Sequence, residues 1–275
     1  MALAAYFVGR DEEYLGALER AFSEFLDHGA SRRAIRCAFW IGIWFLLRGE
    51  QGRSNGWLSR VQRLLGAEGD CVEQGYPLIA SSTRRIGAGD LCGAEVDAAT
   101  AAELGERFGD VDLSACARHL LGRALLQQGR ISEGLASLDE AMLVVTGGSV
   151  SPLVTGLTYC GVIEGYQQVY ALARAREWTE ALSRWCDEQP EMLAFSGTCL
   201  VHRAELMQLL GSWPGALAEA QRACERCLSV ANRRAAAAAH YQAGEVHRLR
   251  GDYAAAEAEF RDASRFGHEP QPGLA

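Results

Sequence analysis

Apolar stretches of helical length run along the chain, each broken by a glycine and a following polar residue: Gly49-Glu50, Gly89-Asp90, Gly129-Arg130, Gly211-Ser212 and Gly251-Asp252. These glycines stand 40, 40, 82 and 40 residues apart, and the long gap leaves room for one further unit. A small residue lies seven places before each glycine (Gly42, Ser82, Gly122, Ala204, Gly244) and another five places after it (Ser54, Ala94, Gly134, Ala216, Ala256). Ala101, Ala141, Ala223 and Ala263 follow seven further on. Small side chains at fixed places let two antiparallel helices approach closely, and a glycine between them takes the positive-φ turn without a Cβ penalty. The pattern therefore predicts helical hairpins repeated about every 40 residues, with units beginning near 35, 75, 115, 155, 197 and 237. Tyr14–Leu26 reads as the second helix of a partial unit within 1–30. In the long gap the turn is expected at Arg176-Glu177-Trp178, after an unusually long first helix from Pro152 to Arg174.

The last unit is the most regular: Gly244, then Gly251-Asp252-Tyr253, Ala256, Phe260 and Ala263. At these residues the chain resembles the tetratricopeptide repeat (TPR), whose pattern reads small–x6–Gly-Asp-Tyr–x2–Ala–x3–Phe–x2–Ala. The likeness implies an all-α, right-handed α-solenoid of TPR-like hairpins, about six units in one repeat domain spanning 1–275. Pro270-Gln271-Pro272-Gly273-Leu274-Ala275 reads like the start of another unit, so a piece of a longer protein is expected.

Composition narrows the function classes. The chain carries 27 basic and 35 acidic residues, a net charge of −8, and its arginine clusters are no longer than Arg32-Arg33, Arg84-Arg85 and Arg233-Arg234. No phosphate-tracking stripe results, so direct contact with nucleic acid is not expected. Every basic residue is arginine, which excludes a Schiff-base lysine and the P-loop lysine. The nine cysteines are scattered over apolar stretches, and Met1–Val8 lacks a basic n-region, so reduced thiols in a cytoplasmic protein are expected. The most apolar run, Cys37–Leu47, is too short to cross a bilayer.

Candidate chemistry is thin. Cys224-Glu225-Arg226-Cys227 has zinc-site spacing, but His240 and His247 on the following helix lie seven apart rather than three or four, so no metal site is expected. Gly87–Gly93 falls on a hairpin turn with no strand before it, which argues against a nucleotide loop. His202 and Glu205, and His119 and Arg123, share helix faces, yet no nucleophile motif accompanies them; no catalytic residue and no cofactor is assigned. Trp40/Trp44 and Trp178/Trp185 read as inter-helix packing.

Stacking the units suggests a site. Six places before the turn glycine come Arg123, Glu205 and Glu245, and four residues earlier His119, Val201 and Tyr241. In proteins similar to this one, such first-helix positions line a concave groove for a peptide or small ligand. Tyr159, Glu164, Tyr166 and Tyr170 join them from the irregular unit. Carboxylates, an arginine and tyrosines around one hollow would suit a polar or cationic ligand.

Residues 36–40, 134–142, 159–164, 176–186 and 202–205 also resemble the helical-repeat region of LuxR-type transcriptional regulators from high-GC bacteria. In that family the repeat region senses an inducer or partner while a separate helix-turn-helix binds DNA. The resemblance implies a non-enzymatic ligand-sensing or protein-interaction module, with a peptide, protein or small-molecule effector in the groove. The alternatives are a pure assembly scaffold that forms a homodimer, and an enzyme using the groove Glu, His and Tyr residues.

Overall fold

The computed structural model describes residues 2–188, 193–229, 233–271 and 273. Among them are fourteen α-helices, a 3-10 turn at Val72–Gln74 and no strand. None of these helices is long and apolar enough to cross a membrane. After α1 (Ala2–Phe7) and α2 (Asp11–Asp27), helices alternate as first and second members of hairpins. These are α3 (Ser31–Leu47) and α4 (Gln51–Leu65), α5 (Tyr76–Ala88) and α6 (Leu91–Phe108), and α7 (Val111–Gln127) and α8 (Ile131–Thr146). Then come α9 (Pro152–Gln168) and α10 (Leu172–Asp187), α11 (Leu193–Leu209) and α12 (Trp213–Ser229), and α13 (Arg233–Leu249) and α14 (Tyr253–Arg265). The helices group into two compact units: 12–165, and 166–275 together with 3–11.

The turn of the irregular hairpin lies earlier than expected. Gly129 and Gly211 take φ of 83° and 81°, and midway between them Tyr170 takes 55°, the one non-glycine among the described residues at positive φ. The Tyr170 amide donates to the Gln167 carbonyl and the Ala171 amide to the Tyr166 carbonyl, closing the turn. The long first helix to Arg174 is therefore two elements, and Arg176-Glu177-Trp178 sits inside α10. A search for glycine could not find this turn, because a tyrosine there costs roughly 1–2 kcal/mol and carries no signature.

The small residues do what their spacing predicts. A Cβ at Gly122 would stand 2.9 Å from the Gly134 carbonyl oxygen, and one at Gly134 would stand 2.9 Å from the Gly122 carbonyl oxygen. Helices α7 and α8 thus cross backbone to backbone. In the preceding hairpin the hydroxyl of buried Ser82 donates to the Ala94 carbonyl at 3.0 Å across the same crossing. Leu138 then fills the space beside this crossing and links it to the next hairpin. Its side chain lies against Gly122 within the hairpin and against Gly165 of α9. Phe260 repeats the arrangement, touching Gly244 on one side and Gly273 on the other, so the segment after α14 sits on α13 much as α9 sits on α7.

A polar knot holds the N-terminal hairpins. Arg36 on α3 donates to Glu73 (2.9 Å), Tyr76 (3.1 Å) and Asp110 (2.8 Å), while the Tyr76 hydroxyl donates to Asp110 at 3.0 Å. Asp110 also caps α7 by accepting from the Leu113 amide at 2.9 Å. Burial and the Asp110 charge push the Tyr76 phenol well above its ordinary value.

Gly122→Val should lower stability by about 3 kcal/mol in urea unfolding, because the added branches meet Leu138 and a backbone carbonyl. Gly56→Ala on α4, where a Cβ meets nothing within 4 Å, should raise it by about 0.5–1 kcal/mol. Asp110→Ala should cost about 2–4 kcal/mol through loss of a cap and of a half-buried ion pair, and Asp110→Asn, which keeps the capping oxygen, clearly less. Chemical-denaturation midpoints at fixed pH check both contrasts.

Candidate functional site

The predicted groove residues are divided between the two units. His119, Arg123, Tyr159 and Glu164 belong to 12–165, and Tyr166, Tyr170, Glu205, Tyr241 and Glu245 to 166–275. In the first unit His119 and Arg123 lie one turn apart on α7, and their face is met by Gly161 and Gly165 of α9, also one turn apart. A Cβ at Gly161 would come within 2.7 Å of the His119 ring, so the glycine makes room for the histidine. The ring is buried, and Arg123 reaches past it to Glu164 at 3.5 Å. Tyr159 is buried in the core.

Burial, and next the positive charge of Arg123, push His119 down to about 3. The carbonyls of Ala115 and Cys116 favour the protonated ring, but they make no hydrogen bond to Nδ1 and do not offset the burial. His119 is thus a neutral spacer between two first helices, and only the Arg123–Glu164 pair meets solvent.

In the second unit Tyr166 is fully buried, and Tyr170 projects from the turn at 73% exposure. Glu205 pairs with His202 of its own helix at 3.2 Å. Glu245 accepts two hydrogen bonds from Arg248, at 3.0 and 2.8 Å. The segment after α14 covers Tyr241 and Glu245. The Tyr241 hydroxyl donates to the Gln271 carbonyl, the His268 ring lies 4.6 Å from the Tyr241 ring, and Gly273 abuts Glu245. Burial and the Glu245 carboxylate push the Tyr241 phenol up.

Two features escaped the sequence. At the hairpin tips of the second unit, large apolar side chains stand in solvent. They are Leu209, Leu210 and Trp213 at one tip, and Leu249 and Tyr253 at the next. Leu249 and Tyr253 lie 40 residues after Leu209 and Trp213, and α11 packs on α13, so the two tips are neighbours. The repeat period could have revealed this pairing. The second feature is a thiol, an imidazole and a carboxylate brought together from three helices: Cys224 on α12, His240 on α13 and Glu259 on α14. His240 Nδ1 lies 2.7 Å from Glu259 Oε2, and hydrogen bonding to Cys224 and Glu259 pushes His240 up to about 10. The cysteine pair does not act together, because the Cys227 sulfur packs against Gly197. Trp40, Trp44 and Trp185 serve packing, against Phe39, Phe45 and Phe195.

The hairpin architecture has counterparts among solved structures. The chain is similar to BtubC (BKLC) from P. vanneervenii, at 18% identity and TM-score 0.54, over 93% of this chain and 95% of that one. It is also similar to aspartyl phosphate phosphatase F from Bacillus subtilis, at 10% identity and TM-score 0.58, over 91% of this chain and 75% of that one. No family model and no curated protein matches the chain. The likenesses define the class: an all-α helical-repeat protein built of TPR-like hairpins.

His119 sets a pH dependence of stability. Its folded value lies below the ordinary 6.5, so between about 3 and 6.5 the unfolded chain binds the extra proton and stability falls as pH drops. At about pH 5 the penalty reaches about 2 kcal/mol. The His119→Gln variant should lose about 2 kcal/mol less than the wild type between about pH 7.5 and pH 5. Equal losses in paired urea titrations would mean that the imidazole is solvated.

Proposed function

We propose that this chain is a non-enzymatic protein-interaction module, and that its partner docks on the hairpin tips of the second unit. One observation carries the reading: apolar side chains recur at the 40-residue period on adjacent tips, with Trp213 37% and Tyr253 71% exposed. Tryptophan and tyrosine supply much of the binding energy at protein interfaces, because each buries a large rigid surface at small entropic cost. A periodic pair of such residues is more than a scatter of surface hydrophobes.

The polar residues that the repeat register places along a groove support a ligand pocket less well. His119, Tyr159 and Tyr166 are enclosed in packing, and Glu205 and Glu245 are paired with residues of their own helices. The neutral, enclosed His119 is equally ill placed for acid–base work. The finer setting, a module of a bacterial LuxR-type transcriptional regulator, is supported by the resemblance of the segments named above. On that reading DNA binding belongs to a further part of the same regulator.

The test is affinity capture from an extract of the producing cells, with three baits: wild type, Trp213→Ala/Tyr253→Ala, and Arg123→Ala/Glu164→Ala. A partner retained by wild type and by the ion-pair variant, but weakened about 10-fold or more by the tip variant, is the expected result. A partner lost only with Arg123 and Glu164 would move the site to the first-helix face and overturn the proposal. Self-association of the chain as the sole product would replace it with an assembly role.

A further inference from the structure

We propose that Cys224, His240 and Glu259 bind a single divalent transition-metal ion of the zinc class. One donor atom from each residue lies within 4.8 Å of the other two, and the three come from successive helices. Ligands bound to a tetrahedral ion at about 2.0–2.3 Å stand about 3.3–3.6 Å apart. The His240–Glu259 contact, at 2.7 Å, is shorter than that distance, and the other separations lie within 4.8 Å.

The donor set suits zinc. A soft thiolate with a borderline imidazole selects zinc over calcium or magnesium, and a carboxylate completes three protein ligands around a fourth, open position. Two of these ligands are anionic when deprotonated, so a dication leaves the site near neutrality. That matters because burying an uncompensated charge is costly.

The surroundings hold the ligands in place. Cys224 is buried among Val201, Ala223 and Ala239, and His240 stacks on Phe266 with ring centroids 5.6 Å apart and planes 14° from parallel. The side chains of His240 and Glu259 remain 13% and 25% exposed, which gives an ion a way in from solvent. A metal here would fasten α12, α13 and α14 across two hairpins.

The position in the repeat shows that this is a departure rather than a rule. Glu219 stands 40 residues before Glu259, and there the carboxylate faces Arg203 at 3.0 Å and Arg222 at 3.1 Å. The same repeat position therefore carries an ordinary ion-pair cluster in one hairpin and a thiol–imidazole–carboxylate set in the next. The second member of the Cys-x-x-Cys takes no part, which separates this site from a zinc-finger arrangement.

The experiment titrates the whole chain, stripped of metal with a chelator and kept reduced, with cobalt(II) and then with zinc(II). One equivalent of cobalt should bind, giving visible bands of tetrahedral cobalt together with a thiolate-to-cobalt charge-transfer band in the near ultraviolet, and zinc should displace it. Cys224→Ser should abolish the charge-transfer band, Glu259→Gln should weaken binding about 10–100-fold, and Cys227→Ser should leave the titration unchanged. Circular dichroism of each apo-variant separates loss of ligand from loss of fold. Failure of the wild-type protein to take up an equivalent of either ion overturns the proposal. So does a charge-transfer band that survives in Cys224→Ser or disappears in Cys227→Ser.

Discussion

Helices in this protein meet where there is almost no side chain to keep them apart, and the remaining contacts follow from that closeness. At Gly122 and Gly134 the carbonyl oxygen of each helix lies 2.9 Å from where a Cβ of the other would be. Beside the crossing lies Leu138, fully buried. Its side chain also reaches Gly165, so one buried leucine joins a hairpin to the next helix in the array. Phe260 does the same at the last hairpin with Gly244 and Gly273. Stability in such an array comes from contacts within a repeat and with its neighbour, and here a single residue serves both.

That economy explains why the first-helix face is less open than its polar residues suggest. His119 and Arg123 occupy positions that face solvent only if the next helix stands off. Glycines at 161 and 165 remove that clearance, and the imidazole becomes filler between helices. Tyr241 and Glu245 occupy the equivalent positions in the last hairpin, and the segment after α14 covers them. Ion pairs engage Arg123, Glu205 and Glu245, while His119 is enclosed in its neutral form.

Repetition also leaves each hairpin free to vary at positions the packing does not use. The carboxylates at 219 and 259 are related by the period, yet one faces guanidinium groups and the other an imidazole and a thiol. The N-terminal hairpins make yet another choice, a knot of Arg36, Glu73, Tyr76 and Asp110 in which one aspartate caps a helix and anchors an arginine 74 residues away. Such clusters depend on register between separate hairpins, which is why each is a local invention on a shared frame.

How much was legible in advance follows the same division. Small residues at fixed offsets and turn glycines specify antiparallel pairs because only they permit close approach and positive φ, so fold class and the regular hairpins could be read directly. The turn at Tyr170 could not, since a tyrosine in a left-handed conformation, closed by backbone hydrogen bonds, leaves no mark on the sequence. Spacing within one helix likewise cannot report donors such as Cys224, His240 and Glu259, which come from three helices. By itself the sequence determined which backbones lie close together, because that is a local steric requirement. Only the tertiary structure decided which polar groups are enclosed, paired or exposed, because that depends on what the neighbouring hairpin presents to them.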